Sequence, residues 1–374
     1  MNSTALSNLI DPAILFFFLG VLVGAVRSNL EIPPQVAKFL SLYLLMSLGF
    51  KGGQELSKAG LGAEGFKMVS LAVLLALTIP AAAFLVLRRR VNQLDAAAIA
   101  ATYGSVSAVT FIAATNFVAG QGTPSGGYSA VAMVLMETPA IVMAVVLASW
   151  VRSRQHAEPN PVSVRAGSDS AGLVSRAPGG PLESVAEGAS VATRDALSDG
   201  DAPVQASSSE PLAMRSVLHE ALTDGANLLL LGSLVVGAVS GSKGGEAMQP
   251  FTNGIFKGLL AFFLLEMGLL VARHLREVRD VGPFLIGFGL ITPLCSASVA
   301  LLLGSLIGLA VGDLTVLAVL AASASYIAVP AVVRYAIPEA RPSRYFTMAL
   351  AVTFPFNVVI GIPLYYAAAQ ALAG

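Results

Sequence analysis

The chain has 374 residues, 55% of them apolar and 12% charged, with a mean hydropathy of +0.76. Soluble domains carry roughly 25% charged residues, so a soluble protein is excluded, and 22 basic residues against 22 acidic ones leave no concentrated basic footprint for nucleic acid. What remains is an all-α polytopic membrane protein, in which the one cysteine, Cys295, rules out a disulfide framework or a cysteine zinc site within one chain.

A membrane-crossing helix needs about 20 mainly apolar residues, because lipid cannot satisfy exposed backbone groups. Met1 to Ile10 has no basic run and no cleavage signal, and reads as an exposed terminus leading into the first span. Ten apolar runs follow. The first five are Pro12 to Val26, Pro34 to Phe50, Phe66 to Leu87, Asp95 to Ala119 and Tyr128 to Val151. From 152 to 215 the pattern stops: this stretch holds 14 of the 44 charged residues, is rich in Ser, Ala, Gly and Pro, and has no Phe, Tyr or Trp. Such a composition cannot bury enough apolar surface to offset the entropy of ordering, so it is expected to be a disordered linker, either a tether or a site of regulation. The last five runs are Val217 to Ser240, Thr252 to Ala272, Val281 to Ala310, Asp313 to Arg334 and Tyr345 to Leu372.

Lys and Arg accumulate in cytoplasmic loops. With the N-terminus outside, 17 of them fall inside, including the Arg88-Arg89-Arg90 run, and 5 fall outside: Lys51, Lys58, Lys67, Lys243 and Lys257. Both termini are therefore expected to face out, with the linker in the cytoplasm and the whole chain in the cell membrane.

The halves on either side of the linker resemble each other in order. FFLGVLVGAV at Phe17 to Val26 aligns with LLGSLVVGAV at Leu230 to Val239, and LYLLMSLGF at Leu42 to Phe50 with AFFLLEMGL at Ala261 to Leu269, Gly49 falling over Gly268. Asp95 falls over Asp313, Ser105 and Ser107 over Ser323 and Ser325, and Thr138-Pro139 over Phe354-Pro355. Five spans per half reverse the direction in which the second half enters the bilayer. Residues 1–151 and 216–374 are thus expected to form two inverted five-helix repeats, an arrangement used by secondary transporters, although gene duplication without transport leaves the same trace.

The fourth and ninth spans both begin with an aspartate, run apolar for two turns, and then turn to small and hydroxyl residues. Gly104 is permissive, and Pro330 disfavours helix at Val329, so both spans are expected to be discontinuous and to cross at mid-depth. A half-helix starting there offers unpaired N–H groups and a positive dipole end to an anion, with Ser105, Ser107, Thr110, Ser323 and Ser325 as hydroxyl donors. The same carbonyls and hydroxyls suit a sodium ion, and small residues also suit plain helix packing. Two acids lie inside spans, where they are costly. Glu137, two residues before a proline expected to break the fifth span, is a candidate cation ligand or proton carrier; Glu266 reads as a packing or subunit contact. His156, His219 and His274 are read as lying in cytoplasmic regions, and no metal motif or partnered nucleophile points to an enzyme.

GxVSxxT at Gly104 to Thr110, Glu137 followed by Pro139, AASxS at Ala321 to Ser325 and RxxIP at Arg334 to Pro338 together resemble the sodium-dependent bicarbonate transporter family of the SbtA type. The resemblance implies a homotrimer, with spans 1, 2, 6 and 7 as scaffold or gate and spans 3, 4, 5, 8, 9 and 10 as the substrate-carrying core. It implies bicarbonate, or a similar small anion, at Gly104, Ser105, Val106, Ser107, Thr110, Ser323, Ala324 and Ser325. A coupling sodium ion would sit beside it at Glu137, Ser107, Ser325 and Tyr326, and a PII-like cytoplasmic regulator is a further implied partner. Tyr326 stands where the family pattern has an aspartate, so a charge is missing from the cation set. The expected function is sodium-coupled import by alternating access; the alternative is a membrane-embedded ligand sensor or regulatory subunit that keeps the fold without transport.

Overall fold

Every N–H and C=O in a hydrocarbon layer must be satisfied within the protein, and this chain meets that demand with helices. A computed structural model describes residues 12–60, 62–157, 225–326 and 328–373, and among them there is no β-strand. The linker expected over 152–215 lies outside the described residues from 158 on, as do His219 and Met1 to Ile10.

The helices are α1 (Pro12–Ala25), α2 (Pro34–Ala59), α3 (Gly62–Leu87), α4 (Gln93–Gly104), α5 (Ala108–Gly120) and α6 (Tyr128–Ala157) in the first half. The second half has α7 (Gly225–Gln249), α8 (Phe256–His274), α9 (Pro283–Leu306), α10 (Val311–Ala322), α11 (Ala328–Ala336) and α12 (Pro342–Ala373). Six stretches are long and apolar enough to cross a membrane: Gly62–Leu87, Gln93–Gly120, Tyr128–Val151, Lys243–His274, Pro283–Leu306 and Pro342–Ala373. Pro12–Ala25, Leu228–Gly241 and Val311–Ala322 are shorter apolar helices, and α2, which runs on past Phe50 to Ala59, carries Lys51, Glu55 and Lys58 in its last turns.

Local chemistry sets the helix ends. Pro34 and Pro283 open α2 and α9 at positions where the missing N–H costs nothing. Asn92 caps α4 by accepting from the Leu94 N–H at 2.8 Å. Gly282, at φ 90°, makes the turn into α9 that a side chain would resist. Within α7, Gly241 adopts φ 59° and kinks the helix, so the sixth apolar run ends where expected although helix continues beyond it.

Glycines then decide which helices touch. α1 lies against α8 with Gly20 over the Leu265 carbonyl and Gly268 over the Phe17 carbonyl, each so close that no Cβ fits. α2 lies against α7 in the same way, with Gly49 over the Leu230 carbonyl and Gly237 over the Phe50 carbonyl. Lipid gives little hydrophobic drive to helix association, so close backbone packing by small residues supplies it. The half-helices α4 and α10 are the most enclosed elements: every residue from Leu94 to Gly104 and from Gly312 to Ala322 is buried.

Gly268→Ala is expected to lower stability by about 1–3 kcal/mol through forced separation of α1 and α8. Gly258→Ala, on the same helix with nothing within 4 Å of the added carbon, should be neutral or slightly stabilising. Thermal unfolding of both variants in detergent reads the difference, and equal effects would refute the close contact.

Candidate functional site: two facing helix breaks

Serine favours caps over helix interiors because its hydroxyl competes for backbone groups, and both interrupted spans part at serines. α4 stops at Gly104, Ser105 and Ser107 are extended (φ −99° and −103°), and α5 begins at Ala108 with Ser107 as its cap, its Oγ accepting from the Thr110 N–H at 3.2 Å. α10 stops at Ala322, and Ser325 Oγ accepts from the Val329 N–H of α11 at 3.3 Å.

Each break is completed by the other. The Ser107 N–H donates to Ser323 Oγ at 3.1 Å, and the Ser325 N–H donates to the Thr102 carbonyl at 2.9 Å. Ser323 Oγ in turn donates to the Leu320 carbonyl at 2.8 Å. Gly104, Ser105, Val106, Ser107 and Thr110 are thereby brought up against Ser323, Ala324 and Ser325, all buried. Two hydroxyls there, Ser105 Oγ and Thr110 Oγ1, are buried with no hydrogen-bond partner among the described residues. Unmet buried polar atoms carry a desolvation cost of about 1–3 kcal/mol, and the positive ends of α5 and α11 begin at the same place.

Three expectations change in the structure. Pro330 does not make the ninth-span break: Val329 is helical, and the proline sits in the first turn of α11, where its N–H would be unpaired anyway. Pro139 does not break the fifth span either; α6 runs through it from Tyr128 to Ala157, with only the Leu135 carbonyl deprived of its helical donor. Gly104 serves close approach rather than an unusual φ, since a Cβ there would lie 2.6–2.9 Å from the ring of Pro80 on α3.

The remaining site candidates have distinct settings. Tyr326 is buried at the second break; its phenol donates to Met267 Sδ of α8 at 3.6 Å, its ring meets Phe354 edge-on at 5.7 Å, and its hydroxyl also interacts with the Ser107 side chain. Glu137 is 9% exposed on α6 and is engaged with a partner. Glu266 on α8 is buried, and its Oε2 has no hydrogen-bond partner among the described residues, nor has the Ser47 hydroxyl at its repeat position.

Several polar side chains at the crossing escaped the sequence reading. α12 widens into π-turns over Met348–Thr353 and Asn357–Gly361, on either side of Pro355, and such turns often accompany functional sites. They aim Asn357 Nδ2 at the Ala322 carbonyl (2.8 Å), the last of α10, and Tyr365 donates to Asn357 Oδ1 at 3.1 Å. Thr353 Oγ1 joins the Tyr103 hydroxyl (2.6 Å) to the Gly289 carbonyl (2.8 Å). The signal was present, a lone asparagine in the apolar run PFNVVIGIP.

The two aspartates that open the half-helices act as anchors. Asp95 accepts from the Arg341 N–H at 2.9 Å and from Arg344 Nη1 at 2.8 Å; Asp313 accepts from the Gly126 N–H at 2.7 Å and from the Tyr128 hydroxyl. A carboxylate at a helix N-terminus also faces the favourable dipole end. Each broken span is thus tied at its start to the beginning of the last helix of the other half.

Apolar helices, paired breaks and enclosed hydroxyls define a multi-pass membrane protein with a polar crossing at its centre. The sequence matches the Na+-dependent bicarbonate transporter superfamily over residues 12–370, and the chain belongs to that family. Among curated proteins, none matches it significantly.

Thr110→Val keeps the shape of the side chain and deletes an unmet hydroxyl, so the empty protein should unfold at the same temperature or higher, by up to about 1 kcal/mol. A clear loss in a thermal melt would mean that the hydroxyl already has a partner.

Proposed function

We propose that this protein imports bicarbonate, or a similar small anion, by alternating access, with sodium as the coupling ion. The reading rests on one observation: two buried helix breaks complete each other's hydrogen bonds while leaving Ser105 and Thr110 hydroxyls unmet beside two helix N-termini. A bound anion would take those hydroxyls and N–H groups; a sodium ion would take the carbonyls, with Glu137 as the proposed acid ligand.

The packing supports ten spans in two inverted repeats. Gly268 meets the Phe17 carbonyl and Gly49 meets the Leu230 carbonyl, and in the repeat alignment Gly49 corresponds to Gly268 and Phe17 to Leu230, so the two contacts exchange under the symmetry. The α1–α8 and α2–α7 pairs form the scaffold in this reading, and the broken spans with α3, α6, α9 and α12 form the moving core. The charge pattern favours outward termini. Trimer formation and a PII-like regulator are carried by the family alone.

Labelled bicarbonate uptake into proteoliposomes, with and without an inward sodium gradient, is the direct test. Gradient-driven uptake is expected; uptake indifferent to sodium removes the coupling, and absence of uptake removes the transport. Ser107→Leu should abolish uptake while leaving the oligomer intact, since it fills the crossing and deletes the α5 cap. Glu137→Gln should alter the ion dependence, and an unchanged sodium response would leave Glu137 a packing residue. Tyr326 favours the sensor alternative, because an uncharged phenol held by Met267 and Phe354 replaces a carboxylate; saturable bicarbonate binding without uptake would establish that reading.

A further inference from the structure

A cavity of about 930 Å³ opens beside the crossing, walled by the last turns of α2, the end of α5, the turn before α6 and the segment joining α7 to α8. Its wall on α5 includes Phe111, which follows Thr110 in the chain. Four charged side chains line it: Lys51, Glu55, Lys58 and Glu246. Lys58 and Glu55 pair with each other at 3.4 Å, which leaves Lys51 and Glu246.

Lys51 is set differently from a surface lysine. It is half-buried, its Nζ stands 4.8 Å from the centroid of the Phe256 ring, and among the described residues it has neither an ion pair nor a hydrogen bond. A cation–π contact satisfies the charge in part but accepts none of the three N–H donors. Lys257, next to Phe256, adds positive potential at the same point. On the α5 wall the Asn116 side chain, also partly buried, has no hydrogen-bond partner among the described residues. Donors therefore outnumber acceptors between Lys51 and Asn116, and a small oxyanion supplies acceptors of the right charge. Glu246, at the opposite side of the charge balance, disfavours multivalent anions.

We propose that this cavity holds a docking site for a small monovalent oxyanion, with Lys51 as the charged contact and Asn116 as a hydrogen-bond donor, from which the anion passes Phe111 to reach the breaks. The inference rests on the transport reading for the identity of the anion, but its test separates the two. In proteoliposomes, Lys51→Gln should raise the half-saturating bicarbonate concentration by roughly tenfold, acting there more than on the maximal rate, and Lys51→Arg should restore most of the loss. An unchanged half-saturation in Lys51→Gln, with the wild type transporting, overturns the docking site.

The second arm does not depend on uptake. Cys295 is exposed and is the one cysteine of the chain, so Ala119→Cys in a Cys295→Ala background, at an exposed lining position three residues past Asn116, gives a single reporter thiol with Lys51 intact. A membrane-impermeant anionic thiosulfonate should label it, and bicarbonate should slow labelling severalfold while chloride at equal ionic strength does not. Equal protection by chloride, or none by bicarbonate, overturns the proposal. Protection by bicarbonate in a protein that shows no uptake upholds the docking site and refutes transport.

Discussion

A peptide group that leaves its helix inside a membrane must find another partner, and no water is there to serve. Two spans of this protein leave the helix at mid-length, and the chain meets the demand by setting them against each other. The Ser107 N–H reaches Ser323 and the Ser325 N–H reaches Thr102, while Asn357 takes the last carbonyl of α10. Neither break is tenable alone. The π-turns of α12, the closeness of Gly104 to Pro80 and the full enclosure of α4 and α10 all follow from the need to bring both into one place.

The parts of this design that the sequence disclosed are those written in local chemistry. Serines at 105, 107, 323 and 325 favour caps wherever they are placed, and the aspartates at 95 and 313 favour helix starts, so the points where the spans part were legible. The matching of Gly49 with Gly268 was legible as self-similarity, though what each glycine touches was not. The errors share a cause: a proline or glycine announces what the backbone can do, and its neighbours decide which option is used. Pro330 was assigned to a break and sits in the first helical turn after it; Pro139 was expected to interrupt α6 and is accommodated within it. Gly104 was read as a permissive backbone position; the helix does stop there, but the glycine proves to serve a close contact with Pro80. Asn357 and Thr353 were passed over because a single uncharged polar residue barely disturbs an apolar run, yet both are fully buried and bonded.

If the proposed anion binds at the crossing, the polar inventory there would hold it with hydroxyls and helix ends in place of a buried basic side chain, of which there is none at the crossing among the described residues. Hydroxyls and helix N-termini give partial charges that cost far less to bury than a lysine or arginine, and the basic side chains Arg88, Arg90 and Lys51 lie toward the helix ends. At one end of the molecule the arginines rest on aromatic rings, Arg88 over Trp150 and Arg90 over Phe284, and at the other Lys51 rests on Phe256. Tyr326 fits the same economy of charge, adding a hydroxyl where a carboxylate would have demanded a permanent counter-ion.

One contact bears on how such a protein would move. Gly52 of α2 meets Gly127, just ahead of α6, backbone against backbone with no room for a Cβ at Gly127. Helices that mesh through side chains behave like gear teeth and must climb out of register before they shift. Two glycines present no teeth, so in a cycle that carries α6 past α2 this point would act as a smooth bearing, resisting separation of the surfaces far more than their sliding.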